Sequence, residues 1–170
     1  GMGLSGLMAA RTATKMGKKT LIIGKGTGSL CLFSNTIDVL GNLPEGIKMA
    51  SGLPRWIKDH LEHPYSKLDW ENIEQALSSF RSFFQPHYTF QLIDHENCLI
   101  PTGAGTYRPT YLIPSTMIAG TSLKNGKMLI VGFKGFKDFY ADYTADQLKC
   151  RSIVIPLSEF PGQEMSATAI

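Results

Sequence analysis

The spacing of apolar residues changes several times along the chain, and each change marks an element. Leu4, Leu7, Met8 and Ala13 recur at helical intervals, with residues 11–16 continuing the run. Gly17 is a natural stop, and Lys15, Lys18 and Lys19 suit a helix C-terminus. Residues 20–23 (TLII) then read as a short buried strand. Helical spacing returns over 54–85. Pro54 fits the first position of a short helix that ends before Pro64. Asp69 is placed to cap a second helix, whose apolar positions Trp70, Ile73, Leu77, Phe80 and Phe84 lie three and four apart. Pro86 ends it.

The pattern then turns to strands. "YTFQLI" and "CLI" flank the polar stretch 94–97, which predicts a hairpin. Asn125-Gly126 is a turn signal. After it come the strand "MLIVGF", the helix "KDFYADYTADQLK" and the strand "SIVIPL", a β-α-β pattern. Phe139, Tyr140, Tyr143 and Leu148 are available to pack that helix. The stretch "GKGTGSLCLFSNTIDVLG" (24–41) fits no single period. Its glycines, with Thr27, Ser29, Ser34 and Asn35, predict an ordered loop of the kind that carries ligand contacts. The whole reads as an α/β fold.

Composition narrows this picture without redirecting it. With 170 residues, 43% of them hydrophobic and 18% charged, the chain can bury a core. A net charge of +3 is too weak to argue for nucleic acid or an anionic membrane. Cys31, Cys98 and Cys150 are odd in number and far apart, which reads as reduced structural thiols rather than a zinc site. No apolar run approaches the roughly eighteen residues of a membrane span.

The candidate chemistry begins at the first residue. Gly1, Gly3 and Gly6 form G-x-G-x-x-G. In a dinucleotide fingerprint these glycines make a tight turn, admit the pyrophosphate to the backbone, and let helix and strand pack closely. The helix N-terminus then offers N–H groups and the positive end of its dipole. Here a helix and an apolar strand follow at the right distances; the alternative is an ordinary glycine-rich helix start. The acid that would bind a ribose hydroxyl is missing: its place falls at Gly24, before Lys25.

Other motifs carry less. His60 and His63 share "HLEH", but no third ligand stands out, so they read as surface or cap histidines and no metal is expected. Gly132 and Gly135 fit a plain strand-to-helix turn. Lysines 124, 127, 134 and 137 fit a solvated face. Arg108, in "GTYRPTYL", sits in turn chemistry. It could bind an anion through its fork, or tie two loops together.

Several of these stretches together resemble one family. "GxGLSGLMAA", "GKKTLIIGKGTGSLCLFSNTIDVLG", "HPY" at 63–65, "PTGAGTYRPTYL" and "MLIVGFKGFKDFY" are similar, in order and spacing, to the N-terminal part of the B-subunits of anaerobic glycerol-3-phosphate dehydrogenase. The most specific are Lys25, Gly26, Gly28, Ser29, Leu30, Ser34, Asp38, Leu40 and Gly41, and Pro101, Thr102, Gly105, Thr106, Arg108, Pro109, Thr110 and Leu112. The resemblance implies a flavoprotein subunit, with FAD or FMN, in a complex that oxidises sn-glycerol 3-phosphate to dihydroxyacetone phosphate and passes electrons to quinone. It implies a second flavin subunit and an iron–sulfur anchor subunit as partners, no nucleic acid, and a cytoplasmic location peripheral to the inner face of the membrane. The family's strand also lacks the acid that is missing at Gly24.

On this reading residues 1–45 are a partial Rossmann-like flavin-binding unit, and 46–170 an α+β cap or substrate region. Gly1, Gly3, Ser5 and Gly6 would face a phosphate. Lys25, Gly26, Gly28, Ser29 and Ser34 would approach the flavin. His63 and Arg108 are the catalytic candidates. Family members place a strand before the glycines and continue well past 170 residues. The chain is therefore expected to be a fragment of a longer subunit, inactive and poor at holding flavin alone. The rival expectations are a non-catalytic assembly or electron-relay subunit with a vestigial pocket, and a standalone NAD(P)-binding protein.

Overall fold

The computed structural model describes residues 1–26, 28, 30, 34–125 and 127–156, with backbone alone at 124 and 125. Its contacts divide the chain into two units, Gly1–Thr36 and Ile37–Ile170.

The first unit is built on helix α1, Leu4–Lys15. Its end is fixed locally. Gly17 adopts a left-handed φ of 74°, its N–H donates to Thr14 O at 2.9 Å, and Lys18 N–H donates to Ala13 O at 3.0 Å. This pair of bonds satisfies the last carbonyls, and the left-handed residue costs least when it is glycine. Thr14 Oγ1 lies 2.7 Å from Thr20 Oγ1, which ties the following segment to the helix.

The strand expected at 20–23 is not formed. These residues find no ladder partner among the described residues, and Leu21 and Ile23 are 84% and 75% exposed. An apolar run becomes a buried strand only where neighbours pair its backbone and cover its faces.

The second unit has mixed helices and short strands. Helix α2 spans Met49–Ile57, and α3 spans Trp70–Phe84. Between them lies a 3₁₀ turn, Pro64–Lys67. Asp69 occupies the N-cap position of α3, and the periodic residues Trp70 and Phe80 are buried, as the spacing predicts. Pro54 departs from expectation. It lies inside α2, not at its first position, because the helix begins five residues earlier. That start is set from outside the helix: Met49 N–H donates to His95 O at 2.9 Å. The core gathers Leu40, Met49, Leu53, Trp70 and Tyr111, with Trp56, Tyr65, Ile73 and Leu77 packed against it.

The strands are β1 (Phe90–Gln91), β2 (Cys98–Pro101), β3 (Tyr107–Thr110), β4 (Ile113–Pro114), β5 (Leu129–Phe133) and β6 (Arg151–Ile155). Pairing differs from expectation. A tight reversal does occur at 93–96, with Asp94 and His95 both at positive φ and Glu96 N–H bonded to Ile93 O at 2.9 Å. The ladder stops there after one bridge. Instead β1 pairs antiparallel with β4, and β2 with β3 in the register Cys98↔Thr110, Ile100↔Arg108. The β2–β3 turn has its own signal, Gly105, at φ 75°. There Thr102 N–H bonds to Thr106 O at 2.7 Å.

The expected β-α-β pattern near the end of the chain is formed. β5 and β6 are parallel, joined by α4 (Ala141–Leu148). The packing of α4 is not the expected aromatic one. Ala141, Thr144 and Ala145 are buried, while Tyr140 and Tyr143 are 71% and 57% exposed. The reason is closeness: a Cβ on Gly132 would lie 2.6 Å from that of Ala141, so only small residues fit between helix and sheet. Thr144 Oγ1 also donates to Gly103 O at 2.6 Å, fastening α4 to the β2–β3 turn. Asn125 of the expected turn ends a 3₁₀ stretch, Ser115–Asn125, and Gly126 lies outside the described residues.

Tyr111 is 1% exposed, and among the described residues its hydroxyl finds no hydrogen-bond partner. Burial pushes its phenol above the ordinary value; Glu74 adds to the rise and Arg81 opposes it. An orphaned buried hydroxyl costs about 1–3 kcal/mol, so Tyr111→Phe is expected to raise stability by about 1 kcal/mol in urea unfolding at pH 7. A raised folded pKa gives stability that is complete below the unfolded value, near 10, and is lost as pH rises through the folded one. The wild type should therefore weaken above about pH 10, and the variant less steeply. Equal steepness would show that Tyr111 does not carry the alkaline loss.

Candidate functional site

In the first unit the glycines are placed by steric need. Gly3 is the N-cap of α1 in extended conformation, with no side-chain cap and no acid in the first turn. Leu7 N–H bonds to Gly3 O at 3.1 Å, which closes that turn. A Cβ on Gly6 would collide with the carbonyl oxygen of Gly1. Gly28 comes back to the same place: its φ is 68°, and a Cβ there would lie 3.0 Å from Gly3 N and 3.2 Å from Gly3 Cα. A Cβ on Gly24 would lie 2.5 Å from Met2 Cγ. Gly1, Gly3, Gly6 and Gly28 thus form one cradle of bare backbone at the positive end of a helix.

That arrangement fits an anionic phosphate group. The first-turn amides point along the helix axis toward it, and no carboxylate of the first turn competes. Among the described residues no side chain crowds Gly1 or Gly3. Ser5 is exposed on the first turn, and Lys25, Gly26 and Ser34 are exposed in the loop that follows. Gly26 has φ 79°. Ser34 Oγ is 3.2 Å from Thr36 Oγ1. Ser29 lies outside the described residues.

In the second unit both catalytic candidates are tied to residues 38–39, Arg108 directly and His63 through Tyr65. His63 caps the 3₁₀ turn, its Nδ1 accepting from Tyr65 N–H at 3.2 Å. This places the proton of the neutral ring on Nε2. The rings of His63 and Tyr65 are 4.9 Å apart, and His63 also meets Trp56 edge-on at 5.0 Å. His60 stacks on Trp56 at 3.8 Å, and its Nδ1 bonds with Trp56 O at 2.8 Å. The two histidines are thus engaged with aromatic and backbone partners. No cluster of three or more metal-ligating side chains occurs among the described residues.

Arg108, on β3, donates from its guanidinium to Asp38 Oδ2 at 2.5 Å. Of the two readings of this arginine, the tie between loops describes the contact observed. Tyr65 donates its hydroxyl to Val39 O at 2.7 Å, one residue from Asp38. Burial pushes the Tyr65 phenol up, and the Asp38 carboxylate adds to the rise. Burial likewise raises the Cys98 thiol, with the backbone opposing and Asp38 contributing. Asp38 is therefore the charge that raises both Tyr65 and Cys98, and it is the ion-pair partner of Arg108. As candidates, sequence spacing passes over Asp38 and Tyr65, because their partners lie up to 70 residues away. Their sequence signal is the family resemblance, in which Asp38 is among the most specific residues and Tyr65 closes "HPY".

The family of FAD-binding domains matches residues 1–169. The chain belongs to this family. The cofactor that the match supports is FAD, which decides between the two flavins left open by the residues. Several curated relatives are named as B-subunits of anaerobic glycerol-3-phosphate dehydrogenase. A probable B-subunit of anaerobic glycerol-3-phosphate dehydrogenase from Halobacterium salinarum is 30% identical over 95% of this chain and 39% of its own. The anaerobic glycerol-3-phosphate dehydrogenase B-subunit of Vibrio cholerae is 31% identical over 89% of this chain and 36% of its own. That of Actinobacillus pleuropneumoniae is 29% identical over 89% and 37%. The chain spans under two-fifths of the length of these relatives. No solved structure matches it. No helix among the described residues is long and apolar enough to cross a membrane.

The cradle makes a specific demand. Gly28→Ala would place a methyl against the backbone of Gly3 and force an alanine to φ 68°. Left-handed backbone at a non-glycine residue costs roughly 1–3 kcal/mol. The expected outcome is at least a tenfold weaker FAD affinity, read by flavin fluorescence titration. Thermal unfolding of the second unit should not change. Unaltered FAD affinity would show that the closeness of 3 and 28 is not used.

Proposed function

We propose that this FAD-binding domain belongs to the flavoprotein subunit of an anaerobic glycerol-3-phosphate dehydrogenase complex. The observation that carries the reading is the bare-backbone cradle of Gly1, Gly3, Gly6 and Gly28, found in a chain whose family binds FAD. The names of its relatives supply the substrate. In this reading the unit is Rossmann-like. Gly1, Gly3, Ser5 and Gly6 hold the pyrophosphate at the N-terminus of α1. Lys25, Gly26, Gly28, Ser29 and Ser34 lie toward the flavin.

The flavin, when bound, supplies the hydride-accepting chemistry that turns sn-glycerol 3-phosphate into dihydroxyacetone phosphate. The protein's part is placement and charge. The planar guanidinium fork of Arg108 suits a phosphate. Asp38 sets the direction of that fork. His63, fixed by its Nδ1 contact, presents Nε2–H as a donor. Electrons then pass to quinone through a second flavin subunit and an iron–sulfur subunit that holds the complex at the inner face of the membrane.

The test uses the full-length subunit in its complex. Purified under nitrogen, it should carry FAD and lose its yellow colour when glycerol 3-phosphate is added. Arg108→Lys should raise KM for glycerol 3-phosphate several-fold with little change in Tm. A colourless full-length subunit would overturn the flavin reading. Loss of Tm with unchanged KM would make Arg108 a structural tie only.

A further inference from the structure

Among the described residues, helix α4 packs on one face of the β5–β6 pair. Residues paired in a parallel ladder point to the same side, so Val131 and Ile153 share a face with Leu129 and Ile155. Helix α4 lies on the other side, against Gly132, with Ser152 Oγ 2.7 Å from Asp142 Oδ1. The first face stays open: Leu129 is 49% exposed, Val131 and Ile153 are 41%, and Ile155 is 39%. Parallel strands are normally buried on both faces.

A groove of about 600 Å³ continues this face. Leu123, Leu129, Leu148 and Ile153 give it apolar lining. Lys127, Lys149 and Arg151 give it three cations, all exposed, and among the described residues no Asp or Glu lines it. The chain has 17 basic and 14 acidic side chains, so a surface with three of the first and none of the second is a local concentration. The polar part of the lining also includes Tyr107 and Cys150.

We propose that this face and groove form a docking site for an acidic, apolar stretch of a partner polypeptide. Apolar side chains at alternate positions would cover Leu129, Val131, Ile153 and Ile155. Carboxylates at the end of that stretch, over the groove, would meet Lys127, Lys149 and Arg151. Among the described residues the outer edges of the pair are unpaired, and an extended segment can join such an edge through backbone pairing. Charge of one sign at the groove selects the partner and speeds encounter more than it tightens the complex. A polypeptide is favoured over a small anion because only a chain covers both the groove and the sheet face. The site does not depend on the flavin site.

The test uses a fluorescein-tagged decapeptide that alternates valine with serine and ends in three glutamates, and its lysine-for-glutamate counterpart. The glutamate peptide should bind the 170-residue chain, weaken at least tenfold between low and high salt, and weaken at least tenfold in Lys127→Glu/Arg151→Glu. Both residues are exposed, so the double variant should keep its Tm. Bound peptide should also slow alkylation of Cys150, read by mass spectrometry of its tryptic peptide. Equal binding of the lysine peptide, or indifference to the charge reversal, would overturn the proposal. So would decanoate binding as tightly as the peptide, since that describes a small-anion pocket.

Discussion

The second unit depends on how one short segment, 37–40, is held. It lies in no helix or extended ladder, yet several separate parts of the chain bond to it. The N–H groups of Tyr111 and Leu112 donate to Ile37 O at 3.1 and 2.9 Å, and Leu112 O receives Ile37 N–H at 2.9 Å. Tyr65 donates to Val39 O, Asn97 Nδ2 donates to Leu40 O at 2.6 Å, and Arg108 donates to the Asp38 carboxylate. Each such bond contributes about 1 kcal/mol net, but leaving a buried carbonyl without a donor costs more. Leu40 is itself in the core. The segment is therefore the place where the 3₁₀ turn, the β1–β2 loop and β3 are brought into one arrangement. The Arg108–Asp38 pair is half-exposed and weak as a stabiliser. Its consequence is direction, since it fixes where a permanent positive charge stands.

In the first unit the constraint is steric. Backbone meets backbone between Gly3 and Gly28, and between Gly1 and Gly6, with no room for a side chain. Close approach of this kind is what an anion-binding turn needs, because amides can then converge on one oxygen cluster. It also explains why an exposed unit keeps residues with positive φ such as Gly26 and Gly28, although glycine loses more entropy on folding than any other residue type.

What could be read from sequence was local. Helix α1 and its stop at Gly17 were legible because the bonds that end the helix span five residues or fewer. Helix α3 was legible because its apolar period is strong and Asp69 precedes it. The parallel β5–α4–β6 arrangement followed from two apolar runs on either side of a helix. Errors came where a distant partner decides. The start of α2 is set by His95, so Pro54 misled. The partner of β2 is β3 rather than the segment before it, because the reversal at 93–96 does not carry a ladder. Residues 20–23 are apolar enough for a strand, but apolarity alone does not supply a neighbour. In the site, the G-x-G-x-x-G spacing pointed to the turn. The approach of Gly28 to Gly3 and the link from Asp38 to Arg108 needed the structure, since neither follows from a spacing.

The central claim is that the backbone around Gly3 and Gly28 holds the pyrophosphate of FAD. Its sharpest test is hydrogen exchange of individual amides in the protein, with and without FAD. If those amides hold the pyrophosphate, exchange at residues 3–6 and at Gly28 slows at least tenfold on FAD binding. Glu96 and Leu112, whose amide bonds are complete without ligand, do not change. Bound FAD, confirmed by its visible spectrum, with unchanged exchange at residues 3–6 and 28 would show that this backbone does not hold it.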